Sequence, residues 1–94
     1  MSKIRKSAKD QPCEVRIPGI CNFNPETTIH AHLGGAGMGR KHNDIFGARC
    51  CSSCHDAVDG RRNTVFSNDE LTLMFHEGMV RTQQHLIDEG LIKT

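Results

Sequence analysis

The most regular hydrophobic pattern in the chain lies toward its C-terminal end. There Leu71, Met74, Phe75, Val80 and Leu86 recur close to the period of an amphipathic helix. Ser67-Asn-Asp-Glu70 just ahead has the form of a capping box, and Gly90 supplies the stop. Together they predict the longest helix of the protein, weakened in its middle by Gly78 by about 1 kcal/mol relative to alanine. Upstream the period shortens to two. Cys13, Val15 and Ile17 alternate with Glu14 and Arg16, and Pro18-Gly19 has the composition of a type II turn. This predicts an N-terminal hairpin that returns Cys21 beside Cys13. Residues 22–27 read as a turn-rich connector. Residues 28–33, Thr-Ile-His-Ala-His-Leu, read as a further strand with His30 and His32 on one face. Residues 1–11 show no periodicity, and their Lys3, Arg5, Lys6 and Lys9 are expected on a flexible basic arm able to touch phosphates.

Strands followed by helices make this an α+β chain, and 94 residues make one domain spanning 1–94. A chain of this size buries only about 60–68% of the surface its unfolded form exposes. With four Phe and no Trp or Tyr, aromatic burial adds little, so a metal staple is a plausible supplement to the core. The N-terminus is charged from Lys3 onward and has no apolar stretch of the signal-peptide kind, and no later stretch approaches a membrane span. The expectation is a cytosolic protein, no membrane partner and five reduced cysteines, which turns the cysteine question from disulfides to metal. Residues 1–62 carry ten Lys and Arg against six Asp and Glu, and residues 63–94 two against five, a split of +4 and −3 that recovers the overall +1. An anionic partner fits the basic part.

That basic part also holds the chemistry. Cys51-x2-Cys54 has metal-knuckle spacing. Cys13-x7-Cys21 is looser, but the two pairs together propose a four-thiolate site for structural Zn²⁺, with Cys50 left as a small buried hydrophobe. If the segment after Cys54 is helical, His55 and Asp59 share a face and suit a harder, open site for Mg²⁺ or a similar divalent ion. Residues 34–41, Gly-Gly-Ala-Gly-Met-Gly-Arg-Lys, match neither the dinucleotide nor the P-loop fingerprint. They read as a flexible loop that offers Arg40 and Lys41 to phosphates, with Arg61 and Arg62 as further nucleic-acid contacts. Asn43-Asp44 is expected to pin this loop. His76 and His85 read as structural or surface residues.

Ala31-His32, Asn43-Asp44 and Cys51-Ser-Ser-Cys54-His55, in this order, resemble the HNH branch of the His-Me finger (ββα-metal) nucleases. More narrowly, Cys-Glu-Val-Arg-Ile-Pro-Gly-Ile-Cys, Asn-Pro-Glu-Thr, Ala-His, Cys-Ser-Ser-Cys-His-Asp and Gly-Met-Val-Arg-Thr-Gln resemble the prophage-encoded YbcO family, whose members are named as nucleases, across nearly the whole chain. The resemblance implies a small zinc-supported ββα-metal finger with a longer C-terminal helix. It implies a metal-dependent endonuclease acting on nucleic acid, DNA first, with His32 as general base, Asn43 or Asp44 steadying the loop, and a catalytic ion at His55 and Asp59. One departure is clear: HNH enzymes usually carry Asp or His just before the base, and this chain has Ala31.

Three other readings use the same residues. A non-catalytic zinc module that binds DNA or a phage protein needs the thiolates and the basic half but gives His32, His55 and Asp59 no chemistry. Cys51-x2-Cys54-His55 also has c-type haem attachment spacing, but that reading leaves Cys13 and Cys21 without a role, and no haem is expected. Dithiol redox activity lacks the βαβ surroundings it needs.

Overall fold

The structure, a computed structural model, describes residues 3–32 and 44–92. Helix α1 (Lys3–Ser7) is followed by an irregular stretch, a 3-10 turn (Pro25–Thr27), strand β1 (Ile29–His32), strand β2 (Gly47–Cys50), helix α2 (Ser52–Val58) and helix α3 (Asn68–Asp88). β1 and β2 pair antiparallel in a two-stranded sheet, with Ile29 opposite Cys50, His30 opposite Arg49, Ala31 opposite Ala48 and His32 opposite Gly47. The architecture is small α+β, as the sequence implies, and α3 packs across β2 and α2. None of the helices among the described residues is long and apolar enough to cross a membrane.

Both longer helices begin and end where local chemistry dictates. Ser67 Oγ accepts from Glu70 N while a Glu70 carboxylate oxygen accepts from Ser67 N, the reciprocal capping box. Gly90 (φ +77°) and Gly60 (φ +78°) take the left-handed position after α3 and α2. Leu91 N donates to Leu86 O and Arg61 N to Asp56 O, closing a Schellman motif at each end. The buried face of α3 is Leu71, Phe75, Gly78, Thr82 and Leu86. Val80, expected in that face, points outward and is 64% exposed, because Gly78 and Thr82 take the inner positions. Gly78 is the reason α3 can approach so closely. A Cβ there would lie 2.9 Å from Val15 Cα.

Two expectations for the N-terminal part are corrected. Residues 13–17 do not form a hairpin strand: Arg16 is left-handed (φ +50°), and Glu14 is buried along with Cys13, Val15 and Ile17. Alternation cannot persist where both sides of the segment are covered. Glu14 N donates to Arg49 O, Arg81 donates to Glu14 O, and the Glu14 carboxylate meets Arg16 and His85. The expected turn does form, with Gly19 at φ +74° and Cys21 N donating to Ile17 O, so Cys21 still returns toward Cys13. The basic arm is not wholly free either. Lys3–Ser7 is helical, packs against β1, and leads to a fully buried Ala8.

At the centre, Arg49 is 1% exposed. Its Nη2 lies 2.9 Å from both carboxylate oxygens of Glu89 and 3.2 Å from Ser7 Oγ, which ties β2 to the ends of α3 and α1.

Candidate metal centre and histidine cluster

The four cysteines singled out by spacing meet in space. Cys13, Cys21, Cys51 and Cys54 are buried, and their sulfurs all lie within 4.8 Å of one another. Three local devices bring them there: the turn at Pro18-Gly19, the end of β2 running into Cys51, and the first turn of α2. Cys51 is the N-cap of α2, so its sulfur accepts from Cys54 N at 3.4 Å, and Cys13 Sγ accepts from Arg16 N at 3.4 Å. Such donors favour thiolates over thiols. Tetrahedral Zn–S bonds of about 2.3 Å require sulfurs about 3.8 Å apart. Cys21 and Cys51 sulfurs are 3.8 Å apart. The set fits a metal such as zinc: four soft donors, closed to solvent, with no carboxylate among them.

Cys50 is fully buried and outside that quartet, as the spacing argument requires. It is nonetheless more than filler, because its thiol is packed in one buried cluster with Cys13 and Cys54. Those contacts, with burial added, push the Cys50 thiol well above its ordinary range, while hydrogen bonds from Cys50 and Cys54 hold Cys13 far below it. Burial raises Cys21 to about 11, and the hydrogen bond with Cys13 pushes Cys54 up. Adjacency to Cys51 was the only sequence signal for this neighbour.

A second grouping lies at the end of β1. His30 and His32 share a face, their rings T-shaped with centroids 5.6 Å apart. Asp44 orients both. His32 Nε2 lies 2.6 Å from Asp44 Oδ1, and His30 Nε2 donates to the Asp44 carbonyl oxygen at 2.5 Å. Because a carbonyl only accepts, His30 carries its proton on Nε2. Burial holds the His30 pKa below its usual value. Arg5 Nε reaches Asp44 Oδ1 at 3.7 Å, a contribution from α1 that the sequence did not signal. Asn43, Arg40 and Lys41 lie outside the described residues.

On α2, His55 Nε2 and Asp59 Oδ2 are 3.2 Å apart, one helical turn from each other as the spacing predicts. Arg61 also binds Asp59 Oδ2, at 2.6 Å, and touches Asp56. Arg61 is therefore engaged with carboxylates, whereas Arg62 is exposed. Among the described residues, the four thiols are the one group of His, Cys, Asp or Glu gathered closely enough to hold an ion; His32, His55 and Asp59 do not form a second.

The profile of the family described as "Putative nuclease YbcO" matches residues 2–91. The chain belongs to the YbcO family. It is 44% identical over 98 residues to "Putative nuclease YbcO" of Escherichia coli (strain K12), covering 99% of each chain. It matches "Putative nuclease ybcO" of Enterobacteria phage 82 to the same extent. A solved structure described as that of a putative bacteriophage protein from Escherichia coli str. K-12 substr. MG1655 superposes with a TM-score of 0.79 at 42% identity, covering 94% of this chain and 100% of that one. The YbcO family thus has a phage-associated nuclease name, and the resemblance seen in the motifs extends through the whole fold.

Proposed function

We propose that this YbcO-family protein is an endonuclease that hydrolyses phosphodiester bonds in nucleic acid, DNA being the expected substrate, with His32 as general base. The observation that carries the proposal is the His32–Asp44 contact of 2.6 Å. The Asp44 carboxylate accepts from Nε2–H, which leaves the Nδ1 lone pair of His32 to take a proton from water. His32 is partly exposed, so water and a phosphate can reach it. The order β1, β2, α2, with the base ending β1 and a His/Asp pair on α2, is similar to that of HNH nucleases.

In this mechanism, water attacks phosphorus in line as its proton passes to His32 Nδ1. The P–O bond opposite breaks, and the leaving oxygen is protonated by solvent, so no covalent enzyme intermediate forms. Asp44 stabilises the imidazolium while it exists. His55 and Asp59, one imidazole and one carboxylate, would be the residues to hold a weakly bound divalent ion. When bound, such an ion would neutralise charge at the phosphate. Arg61 competes for Asp59 Oδ2; released from it, Arg61 would be able to meet the phosphate backbone beside Arg62. Arg40 and Lys41 are assigned the same role. The quartet of Cys13, Cys21, Cys51 and Cys54 is assigned structural zinc, which holds the start of α2 and hence His55 in place.

A zinc-stabilised binding module is the second reading, favoured by Ala31 at the position where HNH enzymes carry a ligand and by the hold of Arg61 on Asp59. A plasmid-nicking assay with Mg²⁺ separates the two. The parent should cut, and His32→Ala should cut about 10²–10⁴ times more slowly with unchanged zinc content. Equal cutting by both chains refutes His32 as base. Binding without cutting by the parent selects the module.

A further inference from the structure

Between α1 and β1 lies a cavity of about 500 Å³ lined by Arg5, Lys6, Lys9, Thr28, Ile29 and His30. Its volume lies within the roughly 300–1,000 Å³ of small-molecule sites. Three features distinguish it from an ordinary surface dent. Among the described residues that line it, three of six are cations, all from the N-terminal segment. Its walls are mostly carbon, which suits something larger and flatter than a bare anion. Finally, Thr28 and His30 are 5% and 6% exposed, and each has a buried polar atom without a hydrogen-bond partner, Thr28 Oγ1 and His30 Nδ1. Buried polar atoms are normally paired, and leaving one unpaired costs about 1–3 kcal/mol.

The chemistry of those two atoms narrows the ligand. His30 has its proton on Nε2, given to the Asp44 carbonyl, so Nδ1 of the neutral ring is an acceptor. An acceptor is not satisfied by bare phosphate oxygens; it needs a donor, and nucleobase edges carry N–H donors. The Thr28 hydroxyl can serve as donor or acceptor. The cations suit the phosphate attached to that base. We infer that this cavity is a nucleotide subsite, taking a base against the wall formed by Thr28, Ile29 and His30 and its phosphate on Lys6 and Lys9.

The choice of ligand rests on the nuclease reading, and the site would extend it. Thr28 is extended and immediately precedes β1, so at about 3.3 Å of rise per residue it lies about 13 Å from His32. A nucleotide held there sits beside the scissile phosphate rather than at it. Arg5 links the two places, since it lines the cavity and pairs with Asp44. The subsite would therefore hold a flanking nucleotide of the strand being cut, with an unpaired base, since a base in a duplex cannot enter.

The test is binding, read on the full-length His32→Ala chain so that turnover does not intrude. A fluorescent single-stranded oligonucleotide is titrated at several salt concentrations, then displaced with a nucleoside 5′-monophosphate or with inorganic phosphate. The monophosphate should displace it at least about tenfold more effectively than inorganic phosphate, since only the former fills the carbon-lined cavity. Lys6→Ala combined with Lys9→Ala should lower the log–log salt slope by about 1–2. Thr28→Val should weaken binding about fivefold with the salt slope unchanged. Thr28→Ser, which keeps the hydroxyl, should bind like the parent, and zinc content checks that each variant is folded. Equal displacement by phosphate and monophosphate, or unaltered binding in both the lysine and the valine variants, overturns the subsite. A parent chain that binds the monophosphate in this way but never cuts defeats the nuclease reading and leaves the subsite standing.

Discussion

Asp44 places a carboxylate oxygen 2.6 Å from His32 Nε2 and its own carbonyl oxygen on His30 Nε2, so one residue sets the tautomers of two adjacent imidazoles. Asp44 directly follows the stretch outside the described residues, and β2 begins three residues after it. The orientation of His32 thus depends on the pairing of β1 with β2. If His32 acts as base, Asp44→Ala should slow cleavage by about tenfold or more while oligonucleotide affinity changes little. Single-turnover kinetics beside a binding titration would show this split, and an unchanged cleavage rate would count against the assignment.

His30 gives the fold a pH dependence of defined sign. Burial lowers its pKa in the folded state relative to the ordinary value of 6.5. Below that value the unfolded chain takes up a proton that the folded chain refuses, so stability is intact above about pH 6.5 and falls on acidification. The loss approaches about 1.4 kcal/mol per pH unit until the folded-state pKa is reached. His30→Gln keeps a donor toward the Asp44 carbonyl but does not titrate. Urea melts of both chains between pH 7.5 and 5 should show a shallower decline for the variant; parallel declines would refute the argument.

If the Cys13, Cys21, Cys51 and Cys54 quartet holds zinc, removing that metal should unfold the protein. Zinc at four thiolates contributes apparent binding free energy of about 10–16 kcal/mol at neutral pH, comparable to the net stability of a whole domain. A strong chelator should abolish the cooperative thermal transition, and Cys51→Ser or Cys54→Ser should lose zinc and helicity together. Cys50→Ala is the discriminating control. It should retain one zinc per chain by mass spectrometry under native conditions and lose only about 1–2 kcal/mol, as befits a buried neighbour of the sulfurs.

Two glycines should resist substitution for reasons unconnected with backbone conformation. A Cβ on Gly47 would lie 2.6 Å from His30 Nε2 and 2.7 Å from the Ala31 carbonyl oxygen. Gly47→Ala should therefore disturb the β1–β2 pair and the histidines it carries. In the middle of α3, Gly78→Ala would gain about 1 kcal/mol in helix propensity but drive a Cβ to within 2.9 Å of the Val15 backbone. Overpacking of about 1–3 kcal/mol should dominate. Equilibrium denaturation would show the sign, and a stabilised Gly78→Ala chain would contradict the close approach.

Much of this organisation could be read from local signals. The capping box at Ser67 and Glu70, the stop at Gly90, the turn at Pro18-Gly19, the strand carrying His30 and His32, and the knuckle at Cys51 and Cys54 each depend on residues within a few positions of one another. Where local reading failed, covering from a second side was responsible. Alternation at Cys13, Val15 and Ile17 promised a strand, but Glu14 is buried as well and Arg16 turns left-handed to wrap the sulfurs. Val80 fitted the apolar stripe of α3 until Gly78 and Thr82 proved to face inward.

The sequence by itself determined the α+β class, the bounds of α3, the thiol quartet and the family, because capping, periodicity and ligand spacing are short-range properties of the chain. Only the tertiary structure decided that α1 docks on β1 with its cations around a cavity, that Asp44 holds both histidines, and that Arg61 holds Asp59. The first two are partnerships between segments distant along the chain, and the third is a choice among several carboxylates within reach of one arginine. Spacing and periodicity encode neither. They are settled by which side chains the folded chain brings within a few ångströms.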